Sequence, residues 1–239
     1  MTRKIIGSLL IGSLLLTVPA VALAADHGDT HMDLGFKTTA KSQKAGTRTK
    51  PRPASLSIEI QQTTRSGTGQ PATSKALNIT LPKEMKFKGA TWPKKLRCDP
   101  IKANQAKSNS VCPKGSAIGK GHVTATAGDG GIKSEIDVTA YVTKSGDLGL
   151  WLSTNTPLPI HQMLIGKVAK SRIIKVAIPS NIQQPLVGVK SAISVLRFSL
   201  TRGVVSTGCP ASKHWTLKFQ NVYDDGGNAT ATDTAPCHR

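Results

Sequence analysis

The side chains with which this 239-residue chain could do chemistry are few: 4 cysteines, 6 histidines and 13 carboxylates. Cys98, Cys112, Cys209 and Cys237 are an even set that contains no Cys-x-x-Cys pair. Compact zinc sites use such short spacings, so the thiols point to disulfides instead. Of the possible pairings, Cys98–Cys112 and Cys209–Cys237 are the simplest, because each closes a local loop rich in polar and turn residues. A disulfide across about 15 residues contributes about 3 kcal/mol through the entropy it removes from the unfolded chain.

The other groups fit no reaction template. An α/β-hydrolase elbow needs Gly-x-Ser-x-Gly, and Gly115-Ser116-Ala117-Ile118-Gly119 sets the serine one place early. There is no P-loop, no dinucleotide fingerprint and no His-Glu-x-x-His. Glu59, Glu135 and Asp137 fall on the polar sides of predicted strands, where they read as solvated surface rather than as the opposed carboxylates of a glycosidase. Asp224, Asp225, Asn228 and Asp233 do not have the spacing of a calcium loop, and Asp-Asp-Gly-Gly is a good turn. His122, His161 and His214 stand alone in sequence. A mature terminus Ala25-Asp26-His27 would offer an amine, two amide nitrogens and an imidazole, a square-planar set suited to Cu(II) or Ni(II). Any third-position histidine has that capacity, so it does not define a metal site. No catalytic residue, metal or cofactor is expected, although a hydrolase with scattered carboxylates stays open as the weakest alternative.

The elements that would carry these groups begin with an address. Arg3 and Lys4 precede an apolar run from Ile5 to Val18, then Pro19 and Ala22-Leu23-Ala24. A basic start, a short apolar core and an A-x-A exit describe a secretory signal peptide over residues 1–24, cleaved after Ala24. Export to an oxidising compartment agrees with paired cysteines. Residues 25–53 offer only Met32, Leu34 and Phe36 as large apolar side chains and end in a lysine-rich tract. Such a segment is predicted to be a flexible basic arm.

From residue 54 the hydrophobic period is two. Leu56, Ile58 and Ile60 alternate with polar residues, as do Leu77, Ile79 and Leu81. In 132–142, Ile132, Ile136, Val138, Ala140 and Val142 share one side. Half-buried strands produce this alternation. Gly128–Gly131 and Ser145–Asp147 read as hairpin turns. About ten strands without a helical stripe predict an all-β domain over 54–239, in one unit or two lobes. Of sandwich and barrel, an immunoglobulin-like antiparallel β-sandwich is expected, because the strands vary in length and loops as long as 94–111 interrupt them.

Charge is the strongest compositional signal. Lys and Arg number 32, for a net +19, and residues 37–120 alone hold 18 of them against 3 carboxylates. Lys37, Lys41, Lys44, Arg48, Lys50 and Arg52 on the arm, with Lys83, Lys86, Lys88, Lys94, Lys95 and Arg97 beyond it, are the candidate polyanion contacts. Basic surfaces bind polyanions by releasing counterions. Aromatics are only 4%, which gives base stacking little support.

TWPKKLRC followed by CDPIKANQAKSNSVCPKGSAIGKGHVTATA resembles a pattern in uncharacterised secreted β-rich proteins of actinobacteria. There a cysteine and a short loop precede Cys-Pro-x-Gly-Ser-x-Ile-Gly-x-Gly and a strand. RFSLTRG, GCPASKHWTLKFQNVYDDGG and the closing TAPC are similar to their last strands and final cysteine. The resemblance covers roughly 77–237. It implies an exported β-rich fold with two local disulfides and brings no activity. The function expected from all this is non-enzymatic, electrostatic association with anionic cell-envelope or extracellular polymers. The first alternative is a structural or protein-interaction module of the cell surface.

Overall fold

The computed structural model describes residues 24–239; the proposed signal peptide lies outside the described residues apart from Ala24. Thirteen strands form one antiparallel sheet: β1 (Ala25–His27), β2 (Thr30–Thr38), β3 (Arg52–Thr64), β4 (Ser74–Thr80), β5 (Met85–Phe87), β6 (Ala117–Ala127), β7 (Ile132–Val142), β8 (Leu148–Thr154), β9 (Ile160–Ala169), β10 (Ile173–Ala177), β11 (Ser191–Ser206), β12 (His214–Tyr223) and β13 (Asn228–Pro236). Their order is β1-β2-β3-β11-β6-β7-β8-β9-β10-β4-β12-β13, with the short β5 on the lower half of β11. The all-β class holds, and both expected hairpins join β6 to β7 and β7 to β8. The arrangement is a single curled sheet rather than two facing ones. No helix among the described residues is long and apolar enough to cross a membrane.

Curling brings the two ends of the sheet together. Phe36 N–H on β2 donates to the Asp233 carboxylate of β13 at 2.7 Å. His27 of β1 stacks on Tyr223 with centroids 4.7 Å apart, and its Nε2 lies 2.7 Å from Asp225. Below, Ala45 N–H donates to His238 O and His238 N–H to Gln43 O. The sheet is thereby nearly barrel-like, with one face turned inward over a core that includes Leu56, Ile60, Ile118, Leu148, Trp215 and Phe219.

Residues 25–53 depart from the expected flexible arm. Met32, Leu34 and Phe36 are almost wholly buried and complete the core from β2, whose partner is β3. The basic stretch 39–51 is the β2–β3 connection. Its lysines point to solvent, so their repulsion is screened while the backbone bonds at 43–45 hold the connection down. Gly46 is required there: a Cβ would meet Ser206 O at 2.6 Å and Arg52 N at 2.5 Å.

One polar network crosses the interior. Gln62 Oε1 accepts from Asn221 Nδ2 at 2.8 Å and from the Tyr223 hydroxyl at 3.0 Å, while its Nε2 donates to Ile193 O at 2.8 Å. Burial pushes the Tyr223 hydroxyl up to about 12, so it stays a donor. Buried polar groups that lose their partners cost about 1–3 kcal/mol each. Gln62→Leu is therefore expected to lower stability by about 2–5 kcal/mol, read from the midpoint of denaturant unfolding.

Candidate polyanion-binding end

In a sheet whose neighbouring strands are all antiparallel, the connections fall into two sets, one at each end. The upper end holds the connections 28–29, 65–73, 128–131, 155–159, 178–190 and 224–227. Arg65 and Lys190 are its only cations, against Asp29, Asp129, Asp224 and Asp225, and Lys190 is paired to Asp224 at 2.5 Å. The lower end gathers 39–51, 81–84, 88–116, 143–147, 170–172, 207–213 and the tail 237–239. These carry 17 Lys and Arg against Glu84, Asp99 and Asp147. Two of those carboxylates are already paired, Asp99 to Lys144 at 2.6 Å and Asp147 to Lys167 at 3.0 Å. The contact with Lys144 holds the Asp99 carboxyl below its ordinary range.

The register shows how separate sequence segments meet. Ser206 of β11 stands opposite Arg52 of β3 on one side and Met85 of β5 on the other. That places the 39–52 connection and Lys83, Lys86 and Lys88 around the same rim. Met85 and Phe87 are buried, so alternation turns Lys86 outward. Beside them, Lys83, Arg172, His214 and Lys218, with Glu84, line an open groove of about 280 Å³.

Both disulfides brace this end, in the pairing expected: Cys98–Cys112 and Cys209–Cys237, with Cα separations of 4.7 and 5.8 Å. The first closes a loop holding a short helix, α1 (Pro100–Ala106). Asp99 caps it by accepting from Ile101 N–H and Lys102 N–H, and Pro100 supplies the preset first turn. The loop lies on the outer face of the sheet, where Ala103 and both cysteines cover Tyr141, Trp151 and Met163. Asn104 Oδ1 accepts from Met163 N–H at 2.6 Å, and Asn109 donates to the Tyr141 hydroxyl at 3.0 Å. Lys94, Lys95, Lys102 and Lys107 are left exposed along the loop. The second disulfide ties the chain end to the β11–β12 connection, beside Lys213 and Arg239.

Most candidate contacts therefore share an end, and two do not serve as expected. Lys41, Lys44, Arg48, Lys50, Arg52, Lys83, Lys86, Lys94 and Lys95 are exposed there, with Lys88 half-buried among them. Arg97 is turned into the loop, donating to the carbonyls of Ala90, Trp92 and Lys144. Lys37 projects from β2 on the outer sheet face, near Glu59. Lys170, Arg172 and Arg202 join the basic end without any signal in their local sequence.

The outer face carries charge of another kind. Pairing aligns Glu59, Arg197, His122, Asp137, Ser153 and His161 as one row across six strands. Its charges are paired within the row, Arg197–Glu59 at 2.8 Å and His122–Asp137 at 3.3 Å, and with the neighbouring Glu135, which lies 2.6 Å from His122. Lys133, His122 and Thr124 hold the Glu135 carboxyl down at about 2. Glu135 and then Asp137 hold the His122 imidazole above its ordinary 6.5. The protonated histidine thus adds stability that is complete below pH 6.5 and fades as pH rises through the elevated value. The Glu135 contribution is complete above pH 4.5 and fades toward pH 2. NMR titration should find the His122 midpoint above 6.5 and should see it fall toward 6.5 in Glu135→Gln.

Further along the row, Ser153 Oγ lies 3.4 Å from His161 Nδ1, whose Nε2 meets Asn155 Oδ1 at 3.0 Å. An activated serine–histidine pair sits within about 2.6–3.2 Å. His27 is held by Tyr223 and Asp225 within a paired strand, so the three-residue copper set would require β1 to detach. Among the described residues, no three His, Cys, Asp or Glu side chains converge as a metal set. No protein-family model matches the chain, and no curated protein matches it either.

Proposed function

We propose that this chain is a secreted, non-enzymatic protein whose basic end associates electrostatically with anionic cell-envelope or extracellular polymers. The observation that carries this reading is the division of charge between the two ends of one sheet. In the Glu59-to-His161 row of the outer face the opposite charges pair with each other, whereas the lower end has 17 cations for three carboxylates. A flexible polymer of regular negative charge matches such a rim better than a compact anion does, because the cations are spread over several loops. The two disulfides support the same reading, since they hold lysine-bearing loops on the rim and suit an oxidising compartment. The resemblance to secreted actinobacterial proteins supports export alone. Retention on dextran sulfate and on uncharged dextran at equal ionic strength tests it. Retention on the sulfated matrix alone is expected; equal retention on both, or none on either, contradicts the proposal.

A further inference from the structure

The inward face of the sheet is not filled. An apolar cavity of about 80 Å³ lies among β4, β6 to β11 and the connection from β10 to β11. Its lining is aliphatic apart from Phe198 and three polar residues, Ser74, Gln183 and Ser191, all near the upper end. That connection forms one helical turn, α2 (Ser180–Gln183), which carries Ile182 and Gln183 onto the cavity. A second cavity of about 30 Å³ lies beside the first and shares Ala125, Ile136, Ile182 and Ser191 with it. Ile182, the one of these four on the connection rather than on a strand, thus borders both apolar spaces.

Three side-chain hydrogen bonds hold this turn, one of them from Asn181 Nδ2 to Gln162 Oε1 of β9 at 3.0 Å. Gln183 Nε2 donates to Ile178 O at 2.6 Å, and the Ser191 hydroxyl donates to Ile182 O at 2.5 Å. Just beyond it, Val187 is fully exposed and Leu186 is 43% exposed.

We infer that Ile182 is a displaceable plug, and that the chamber beneath it binds the linear alkyl chain of an uncharged alcohol or lipid. The lining has no charged group to meet an ionic head, and a space of about 80 Å³ admits a slim polymethylene chain more readily than a ring. The resident space is about half of an apolar cavity of roughly 150 Å³ that stays dry and accepts benzene. A chain longer than a few carbons therefore enters only as Ile182 leaves and the two spaces join. This site is independent of the basic end, and its ligand carries no charge, so the two readings fail separately.

Calorimetric titration of the folded protein with 1-alkanols from butanol to decanol tests the inference. Affinity should rise about fourfold per methylene while the chain is being buried, then level off when the chamber is full. Ile182→Ala should bind 1-octanol at least fivefold more tightly and shift the plateau to longer chains. Ala125→Phe, whose ring enters both spaces, should weaken octanol at least tenfold, and Val187→Ser should leave it unchanged. Ile182 is half-buried on a short turn outside the strands, so its truncation leaves the sheet intact even if the Ala125 variant does not fold. Absence of saturable binding overturns the inference. So does octanol binding that is indifferent to Ile182→Ala, or affinity that climbs without a plateau and falls in Val187→Ser, which marks adsorption to the exposed loop.

Discussion

Changing Lys83, Lys86, Lys94 and Lys95 together to glutamine is expected to weaken binding to a polyanion by two to three orders of magnitude at low salt. All four are exposed on the basic end, and none makes a side-chain hydrogen bond or ion pair with another of the described residues. The substitution therefore removes charge without removing structure. A lysine near an anionic surface is worth about 1 kcal/mol, so four that add amount to about 4 kcal/mol, close to a thousandfold. The logarithmic salt dependence should flatten by about 3–4, because each lost contact releases about 0.9 fewer counterions on a DNA-like polymer. Thermal unfolding should stay where it was, or rise slightly as like charges are removed. Substituting Lys133 and Arg197 on the outer face with glutamine should leave affinity nearly unchanged, because those cations already face Glu135 and Glu59. Equal losses per charge removed from the two sets would show that only total charge matters and would contradict a localised site.

Deleting residues 25–38 should abolish cooperative folding rather than trim a tether. Burying a Met, Leu or Phe side chain contributes about 1.5–3 kcal/mol, and Met32, Leu34 and Phe36 are each at most 3% exposed. Their combined loss of about 5–9 kcal/mol is comparable to the whole net stability of an ordinary domain. The deletion also opens the edge of β3 and removes the contacts of Phe36 with Asp233 and of His27 with Tyr223. Circular dichroism on heating should show a broad or absent transition. A sharp transition within a few degrees of the intact protein would restore the flexible arm that the composition predicts.

That deletion marks where the sequence was legible and where it was not. Alternation of large aliphatic residues located β3, β4 and β6 to β12, since a half-buried strand cannot hide its period. Met32, Leu34 and Phe36 alternate just as well, but the lysines that follow them suggested a segment too charged to fold. Those lysines belong to a turn, not to the strand. In β13 the inward residues are Ala229, Ala231 and Ala235, too small to register as an apolar stripe although all are buried. The cysteine pairing was readable because each loop is local. Closure of the sheet was not, because it rests on contacts between residues far apart in sequence: Phe36 with the Asp233 carboxylate, His27 with Tyr223, and the 43–45 backbone with His238.

The basic end was half legible. The lysines of 37–52 and 83–97 announce themselves as runs. Their shared position follows only from the parity of connections around the sheet, which also recruits Lys170, Arg172 and Arg202. Arg97 shows the converse: its charge is plain in sequence, whereas its use as a three-carbonyl clamp depends on a fold in the disulfide loop. The chamber beneath Ile182 had no sequence signal, since a void is made by residues that do not meet.

The most direct test of the central claim is the affinity of a protein comprising residues 25–239 for dextran sulfate between about 50 and 200 mM salt. If the basic end binds by counterion release, the logarithm of affinity should fall linearly and steeply with the logarithm of salt, with a slope corresponding to several charges. Tight binding indifferent to salt, or no binding at the lowest salt, would contradict it.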